Sequence, residues 1–349
     1  MPDAPELTPL GLGAWAMGGG DWVWGWGAQD DAQSIATIRH AARRGIGWVD
    51  TAASYGLGHG EEVVGRALRQ LPAGERPLVL TKGGSAWAEG DRATRRVGDR
   101  ASILAHCDAS LRRLGLDCVD VYQLHWPSDD GTPVEETWQA MAELVETGKA
   151  RWIGVCNFDV ELLERCEAIR HVDVLQTPLS LIDRRACADV VGWGRRNSTA
   201  VLAYSPMASG LLTGRFSAER VAALDRGDWR REDPDFQPPA LERNLALVAR
   251  LTEIAARRGR SVGELALAWV LAAGATAAIA GARSPEQVDG WAAAADLRLD
   301  ADELEAIAAA LAQSGAGRGP VAQASREQRE LLADRRVIAE RGRDTAGDG

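Results

Sequence analysis

Short apolar, β-branched runs alternate with amphipathic helical stretches along most of this 349-residue chain. Seven runs are evident, at residues 46–50, 78–82, 118–122, 152–155, 172–176, 200–204 and 277–280. Residues 10–16 supply either one more strand or an N-terminal hairpin. Strands alternating with helices favour parallel βαβ units. About eight such units in roughly 300 residues favour a closed (β/α)8 TIM barrel over an open sheet.

The helical stretches have apolar residues at helical spacing. They span residues 31–44, 61–71, 102–114, 134–146, 160–169, 184–196, 241–257, 285–295 and 301–312. The alternation ends near residue 314, and the remaining residues are polar and rich in Arg and Glu. We therefore expect one barrel domain over residues 1–314, followed by a mobile C-terminal tail over residues 315–349.

Composition argues against several classes of function. A formal net charge of −10 argues against nucleic acid or an anionic membrane surface as a partner. No apolar run approaches the ~20 residues that a membrane span needs, and the first residues do not resemble a secretory signal. The five cysteines form no CxxC motif, and neither they nor the five histidines show metal-ligand spacing. We expect a cytoplasmic protein, monomeric by default, without a metal.

Polar side chains end most of the predicted strands. They are Asp50, Lys82, His125, Asn157, Gln176, the pair Tyr204 and Ser205, and the pair Gly281 and Arg283. Each alone has an ordinary explanation, such as a loop cap or a core histidine. In a barrel, however, these strand ends converge on one mouth, where such enzymes place their chemistry. The recurrence at seven strand ends therefore predicts an active site.

Four side chains near that mouth, which we call the tetrad, are Asp50, Tyr55, Lys82 and His125. Lys82 is one of only two lysines among 40 basic residues. Its ammonium would lower the pKa of the Tyr55 phenol, and Asp50 would keep that ammonium charged. His125 could donate a hydrogen bond to a substrate carbonyl. The tetrad supplies a proton but no electrons, so reduction needs a bound hydride donor.

The sequence resembles the aldo-keto reductase superfamily from about residue 8 to residue 312. The matching segments are WVDTAASYG, LTKGG, VYQLHWP, IGVCNF, LQTPLS, AYSPMASGLLTG and GARSPEQV. The resemblance implies a (β/α)8 barrel, an NADPH cofactor and the tetrad as catalytic residues. It implies an oxidoreductase that transfers a hydride reversibly between NADPH and an aldehyde or ketone, with Tyr55 as the general acid.

The resemblance also implies the residues that contact the cofactor. Asn157 and Gln176 would bind the nicotinamide carboxamide, and Tyr204 would stack on the nicotinamide ring. Arg283 and Gln287 would lie near the adenosine ribose, where a guanidinium favours the 2′-phosphate of NADPH. The residues that would line the pyrophosphate and the last turn are Ser205, Pro206, Met207, Ser209, Gly210, Leu211 and Gly281.

Three positions depart from the family pattern, of which Leu179, where a tyrosine is common, would alter barrel packing or the rim of the pocket. Cys156 stands where a serine is usual, and a thiol is a weaker hydrogen-bonding group, so we expect a modest loss of nicotinamide affinity. Trp291 stands where an asparagine near the adenine is common, and its indole could stack on the base instead.

Tryptophans are concentrated in loops expected to surround the mouth. We expect Trp24, Trp87 and Trp126 to contact the substrate, which favours a flat or apolar carbonyl compound or a sugar ring. Arg230 and Arg231 lie in a long insertion and are expected to face solvent.

Two other functions remain open from the sequence. The first is a nucleotide-sensing regulatory subunit on the same fold, in which turnover is incidental. The second is an aldolase that forms a Schiff base on Lys82, which requires a deprotonated lysine. Asp50 argues against the second, because it would keep Lys82 charged.

Overall fold

A computed structural model describes residues 5–20, 22–225 and 228–321. Eight parallel strands form a closed barrel, as the strand–helix alternation predicts. They are β1 (Leu10–Gly13), β2 (Trp48–Asp50), β3 (Leu78–Gly83), β4 (Val119–Leu124), β5 (Ala150–Cys156), β6 (Val174–Pro178), β7 (Ala200–Tyr204) and β8 (Ala277–Gly281).

The N-terminal segment is the first barrel strand. Leu12 lies opposite Val49 of β2, and Leu10 lies opposite Ala278 of β8, both in parallel register. The alternative of an N-terminal hairpin is therefore wrong for the residues described, because β1 is the strand that closes the barrel. A short antiparallel hairpin follows β3 instead. It pairs Ser85–Ala86 with Arg95–Arg96, and we call it the 85–96 hairpin.

Helices cover the outside of the barrel. They are α1 (Asp31–Arg43), α2 (His59–Arg69), α3 (Arg100–Leu114), α4 (Val134–Glu146), α5 (Val160–Glu167), α6 (Val190–Arg196), α7 (Ala218–Ala222), α8 (Ala240–Ala256), α9 (Val262–Ala272), α10 (Pro285–Asp289) and α11 (Ala301–Ser314). Several begin at a side chain that accepts a hydrogen bond from the first turn, as Asp99 does for α3 and Ser261 for α9.

Two predicted helices are divided, and two helices, the five-residue α7 and the longer α9, have no counterpart in the prediction. The stretch 184–196 contains a 3-10 turn before α6, and 285–295 contains α10 followed by a 3-10 turn at Ala292–Asp296. Helix α9 escaped the periodicity analysis because ten of its eleven residues are buried. A helix that is apolar all round has no polar face to create the pattern.

Alternate strand residues point into the barrel and out toward the helices. The interior is filled by a cluster that includes Trp48, Leu80, Val121 and Leu202. The Trp48 ring packs against Gly11, where a side chain would overlap it, and its indole N–H donates to the Thr8 carbonyl. The interior is therefore a packed core, and the carboxyl ends of the strands carry the accessible mouth.

Residues 315–321 contact the barrel. The buried Arg184 side chain donates to the carbonyls of Ala316, Gly319 and Pro320, and Arg318 pairs with Asp235 at 2.9 Å. The rest of the predicted tail, residues 322–349, lies outside the described residues, so the domain division at 314 stays a prediction. Within the part of the chain described, no helix is long and apolar enough to cross a membrane.

Candidate active site

The tetrad assembles at the barrel mouth. Asp50 ends β2, Lys82 lies near the end of β3, Tyr55 lies in the turn after β2, and His125 directly follows β4. The Lys82 ammonium donates to the Asp50 carboxylate at 2.5 Å, to the Thr51 carbonyl at 2.9 Å and to the Tyr55 hydroxyl at 3.1 Å. All three N–H groups of the ammonium are therefore satisfied.

Lys82 and Asp50 form a buried ion pair, with side-chain exposures of 0% and 3%. Burial works against the charged ammonium, but the Asp50 carboxylate and the polar neighbours outweigh it. Together they raise the pKa of Lys82 above its usual value. The lysine is therefore cationic across the physiological range, as the sequence predicts.

Burial has the largest effect on the pKa of the Tyr55 phenol. The Lys82 charge lowers the pKa of the phenol, as expected, but desolvation has the larger effect and raises that pKa to about 12. The net direction is therefore opposite to the expected lowering, because the hydroxyl lies in an almost dry pocket. At neutral pH, Tyr55 is protonated and can donate a proton.

His125 stands beside the phenol as a neutral ring. Its imidazole lies edge-on to the Tyr55 ring at 5.8 Å between centroids, and Nδ1 is 3.2 Å from the Ser54 hydroxyl. Burial, helped by the charges of Lys82 and Arg96, holds the pKa of His125 well below its usual value. When the Ser54 hydroxyl donates to Nδ1, the proton resides on Nε2, where it can be donated onward.

Three of the predicted nicotinamide contacts join the tetrad in one hydrogen-bond network. The Gln176 amide donates to the second Asp50 oxygen at 2.9 Å. The Asn157 amide donates to the His125 carbonyl at 3.1 Å, and its oxygen accepts from the Tyr204 hydroxyl at 2.7 Å. The network positions these polar groups next to the tetrad, at the carboxyl ends of β5, β6 and β7.

Gln123 completes this network and was absent from the sequence prediction. Its side-chain oxygen accepts from Gln176 at 3.2 Å, and its amide lies 3.5 Å from Asp50. Gln123 lies within β4 and not at the strand end, so the search for polar strand ends passed over it. Val121 points into the barrel, and alternate residues of a strand share a face, so this pattern could have identified Gln123 as an inward residue.

The turn after β7 contains several residues with left-handed backbone angles. Ser205, Ala208, Ser209 and Gly210 have φ values of +52°, +47°, +53° and +102°. These residues bend the backbone sharply, and the N–H groups of Ala208 and Gly210 donate to the carbonyls of Ser205 and Met207 within the turn. Pro206 is buried and Met207 partly buried, whereas Leu211 lies wholly in the core, so only the backbone of Leu211 is available to a ligand.

The turn after β8 holds Gly281, Arg283 and Gln287. No atom lies within 4 Å of the position that a Gly281 side chain would occupy, so the strand end is open. The Arg283 backbone N–H donates to the Gln287 side chain at 2.8 Å. Its guanidinium is bound to residues 22–29, which we call the Trp-rich loop. The acceptors are the Gln29 side chain at 2.6 Å and the carbonyls of Ala28 and Trp26 at 2.5 and 3.3 Å.

Aromatic rings form a wall beside Tyr55. Trp15 stacks on the Tyr55 ring at 5.8 Å and on Trp229 at 6.5 Å, and Trp22 lies 5.9 Å from Tyr55. Trp24, which is 53% exposed, meets Trp229 edge-on. Trp15 and Trp229 were missed from the sequence because they belong to loops about 210 residues apart, with no local pattern linking them.

Of the three predicted substrate tryptophans, two contact other aromatic rings of the mouth. Trp126 stacks on His125 at 6.3 Å, and Trp24 is the exposed ring of the wall. The third, Trp87, lies beneath the guanidinium of Arg113 from α3, whose central carbon is 5.9 Å from the ring centre. The substrate contacts themselves stay predictions.

Two other expectations change with the structure. Arg230 does not simply face solvent, because it pairs with Asp228 at 2.6 Å and lies 4.8 Å above the Trp26 ring. Trp291 is only 4% exposed and belongs to the hydrophobic core, which leaves no free indole face for stacking on a base.

Cys156 lies within the polar network. It contacts Gln176 at 3.6 Å and accepts from Asn157 at 3.3 Å, and burial raises the pKa of its thiol to about 12. It is therefore a neutral thiol, and its effect on nicotinamide affinity stays a prediction.

A model of the aldo/keto reductase family matches residues 9–312 of the chain, a span that includes the whole tetrad. The chain belongs to the aldo/keto reductase family. This membership confirms the resemblance drawn from the sequence motifs. It also confirms the enzyme class, an oxidoreductase of carbonyl compounds.

Several named proteins are similar to this aldo/keto reductase. The aldo-keto reductase YhdN of Bacillus subtilis is 38% identical over 286 residues, covering 81% of this chain and 84% of the relative. The NADH-specific methylglyoxal reductase of Escherichia coli is 36% identical over 309 residues, covering 85% and 92%. The solved structure of the glycerol dehydrogenase AKR11B4 from Gluconobacter oxydans superposes with a TM-score of 0.82 at 36% identity, covering 90% and 94%.

The substitution Asp50→Asn tests the buried ion pair. It leaves the Lys82 ammonium without its counter-charge, and loss of one partner of a buried pair costs about 3–5 kcal/mol. We expect urea denaturation to show a free energy of unfolding lower by about that amount, with part of it recovered in the double variant Asp50→Asn/Lys82→Met.

The chain offers a matched control. Asp108 pairs at 2.6 Å with Lys149, the other lysine, and both side chains are at least one-third exposed. Asp108→Asn should cost about 1 kcal/mol or less, because water screens the charges. Equal losses in Asp50→Asn and Asp108→Asn would contradict the buried-pair interpretation.

Proposed function

We propose that this aldo/keto reductase transfers a hydride from NADPH to an aldehyde or ketone, with Tyr55 supplying the proton. The observation that carries the proposal is the 3.1 Å contact between the Lys82 ammonium and the Tyr55 hydroxyl. Asp50 holds that ammonium, and His125 lies on another side of the phenol. The arrangement fits protonation of a carbonyl oxygen and does not itself supply electrons.

NADPH supplies the hydride when bound. Asn157 and Gln176 would hold the nicotinamide amide beside the tetrad, because their side chains already lie in the same network. Tyr204 would present its ring to the nicotinamide while its hydroxyl fixes Asn157. The turn after β7 would line the pyrophosphate, as the resemblance to the family implies.

The tetrad side chains divide the proton chemistry between them. His125, a neutral ring, would donate from Nε2 to the carbonyl oxygen and polarise the C=O bond. Tyr55 would then give its proton to that oxygen as negative charge develops there. Lys82 would stabilise the resulting phenolate, because the charge of its ammonium acts strongly on a neighbouring oxygen where water is excluded. In the oxidative direction, the same phenolate would accept the proton of an alcohol.

The aldolase alternative has less support. A Schiff-base lysine needs a free electron pair on nitrogen. The Lys82 nitrogen is wholly buried, bound to three acceptors and held charged by Asp50. These contacts favour the role of Lys82 as a fixed cation over that of a nucleophile.

Preference for NADPH rests on Arg283. A solved aldo-keto reductase from Klebsiella pneumoniae, 29% identical with a TM-score of 0.66, is in complex with NADPH, whereas the similar methylglyoxal reductase of E. coli is named NADH-specific. Relatives therefore differ in cofactor. A guanidinium at the turn after β8 would bind the 2′-phosphate in bidentate geometry, and this assignment requires it to release or share its contacts with the Trp-rich loop.

The variant Tyr55→Phe tests the proton donor. It keeps the ring that packs on Trp15 but removes the proton, so we expect reduction of 4-nitrobenzaldehyde to fall by about 100-fold or more. NADPH binding, followed by quenching of tryptophan fluorescence, should stay near the wild-type value. Tyr122→Phe is the matched control, because it removes a buried hydroxyl from β4 outside the tetrad.

Retained turnover in Tyr55→Phe would exclude Tyr55 as the donor. A wild-type protein that binds NADPH but reduces none of several carbonyl compounds would favour the nucleotide-sensing function.

The variant Arg283→Ala tests cofactor preference. Loss of a charge-assisted contact to phosphate should weaken NADPH binding by about tenfold or more while leaving NADH binding nearly unchanged. Gln29→Ala is the control, since it breaks one link between Arg283 and the Trp-rich loop but keeps the guanidinium. Equal losses for the two nucleotides in Arg283→Ala would mean that the 2′-phosphate is held elsewhere.

A further inference from the structure

A second cation stands at the mouth beside the tetrad, on the 85–96 hairpin. The hairpin continues directly from β3: Val97 donates to the Gly84 carbonyl, and the His125 backbone donates to Gly83. Its last residue, Arg96, places its guanidinium carbon 4.5 Å from the centre of the Trp126 ring. Trp126 in turn stacks on His125, so one aromatic ring links Arg96 to the imidazole that would polarise the substrate carbonyl.

No carboxylate neutralises Arg96 among the residues that the structure describes. Two other partly buried arginines near the site form ion pairs, Arg113 with Glu61 and Arg230 with Asp228. Asp130, on the loop after Trp126, accepts from the backbone of Gly98 and Thr132 instead. Arg96 therefore keeps its hydrogen-bond donors available while an aromatic ring holds the plane of the guanidinium.

The charge of Arg96 also reaches the site. After burial and the charge of Lys82, the charge of Arg96 also helps to lower the pKa of His125. The protein has a net charge of −10, which repels anions in general. An arginine at the mouth without a carboxylate partner provides a positive charge that could attract an anionic substrate.

We propose that Arg96 is a specificity-determining residue that binds a carboxylate or phosphate group of the carbonyl substrate. This inference rests on the proposed reductase function and names its substrate class: a carbonyl compound carrying an anionic group. The carbonyl would lie at Tyr55 and His125, and the anionic group would lie at the Arg96 guanidinium. Two oxygens of the anionic group fit the two donor edges of a guanidinium.

A pair of aldehydes of nearly the same size tests the inference, namely 4-carboxybenzaldehyde and 4-formylbenzamide, which differ in one charge. With NADPH and the full chain, we expect Arg96→Gln to lower kcat/KM for the acid about tenfold relative to the amide. Arg96→Lys, which keeps the charge without the fork, should lie between. Arg92→Gln is the matched control, because Arg92 is an exposed arginine of the same hairpin.

Each outcome bears on a different claim. Equal losses for acid and amide in Arg96→Gln would show that Arg96 only packs against Trp126, which overturns the inference but leaves the reductase intact. A wild-type protein that reduces 4-nitrobenzaldehyde but not the acid would overturn the inference alone, whereas one that reduces no aldehyde would overturn both. Added salt gives a test on the unmodified protein, since it should lower kcat/KM for the acid more than for the amide. Equal salt effects would also contradict the inference.

Discussion

The ion pair between Lys82 and Asp50 is the interaction on which the rest of the mouth depends. Removing two charges from water costs several kcal/mol per ion, so such a pair persists only where each polar atom finds a partner. Here the ammonium contacts Asp50, Thr51 and Tyr55, and the second carboxylate oxygen accepts from Gln176. The pair therefore ties β2, β3 and β6 together and determines where the phenol lies.

The aromatic rings around Tyr55 strengthen the effect of the Lys82 charge on the phenol. Trp15 and Trp22 cover Tyr55 and exclude water, which raises the pKa of the phenol but also strengthens the field of Lys82 at its oxygen. The wall depends on contacts between distant loops: Arg283 binds the Trp-rich loop, and Trp229 stacks on Trp15. The surroundings of Tyr55 are therefore held by contacts between segments far apart in the sequence.

The sequence predicted the barrel and the tetrad because both follow from local order along the chain. Strands alternate with helices, and polar residues end the strands, so a closed barrel brings those residues together. Helix α9 was missed because a fully buried helix has no polar face. Three features could not be predicted, since each depends on contacts or burial created only by folding. They are the hydrogen bonds from Arg283 to the Trp-rich loop, the stacking of Trp15 on Trp229 and the net rise in the pKa of Tyr55.

The pH dependence of aldehyde reduction tests the central claim most directly. Tyr55, with its pKa raised to about 12, stays protonated, and His125 stays neutral, between about pH 6 and pH 9. We predict that kcat/KM for reduction of 4-nitrobenzaldehyde is level across this range, while oxidation of the corresponding alcohol rises with pH because it needs the phenolate. A tenfold fall in reduction for each pH unit between pH 7 and pH 9 would contradict the account, since it would place the proton donor on a group that ionises far more readily.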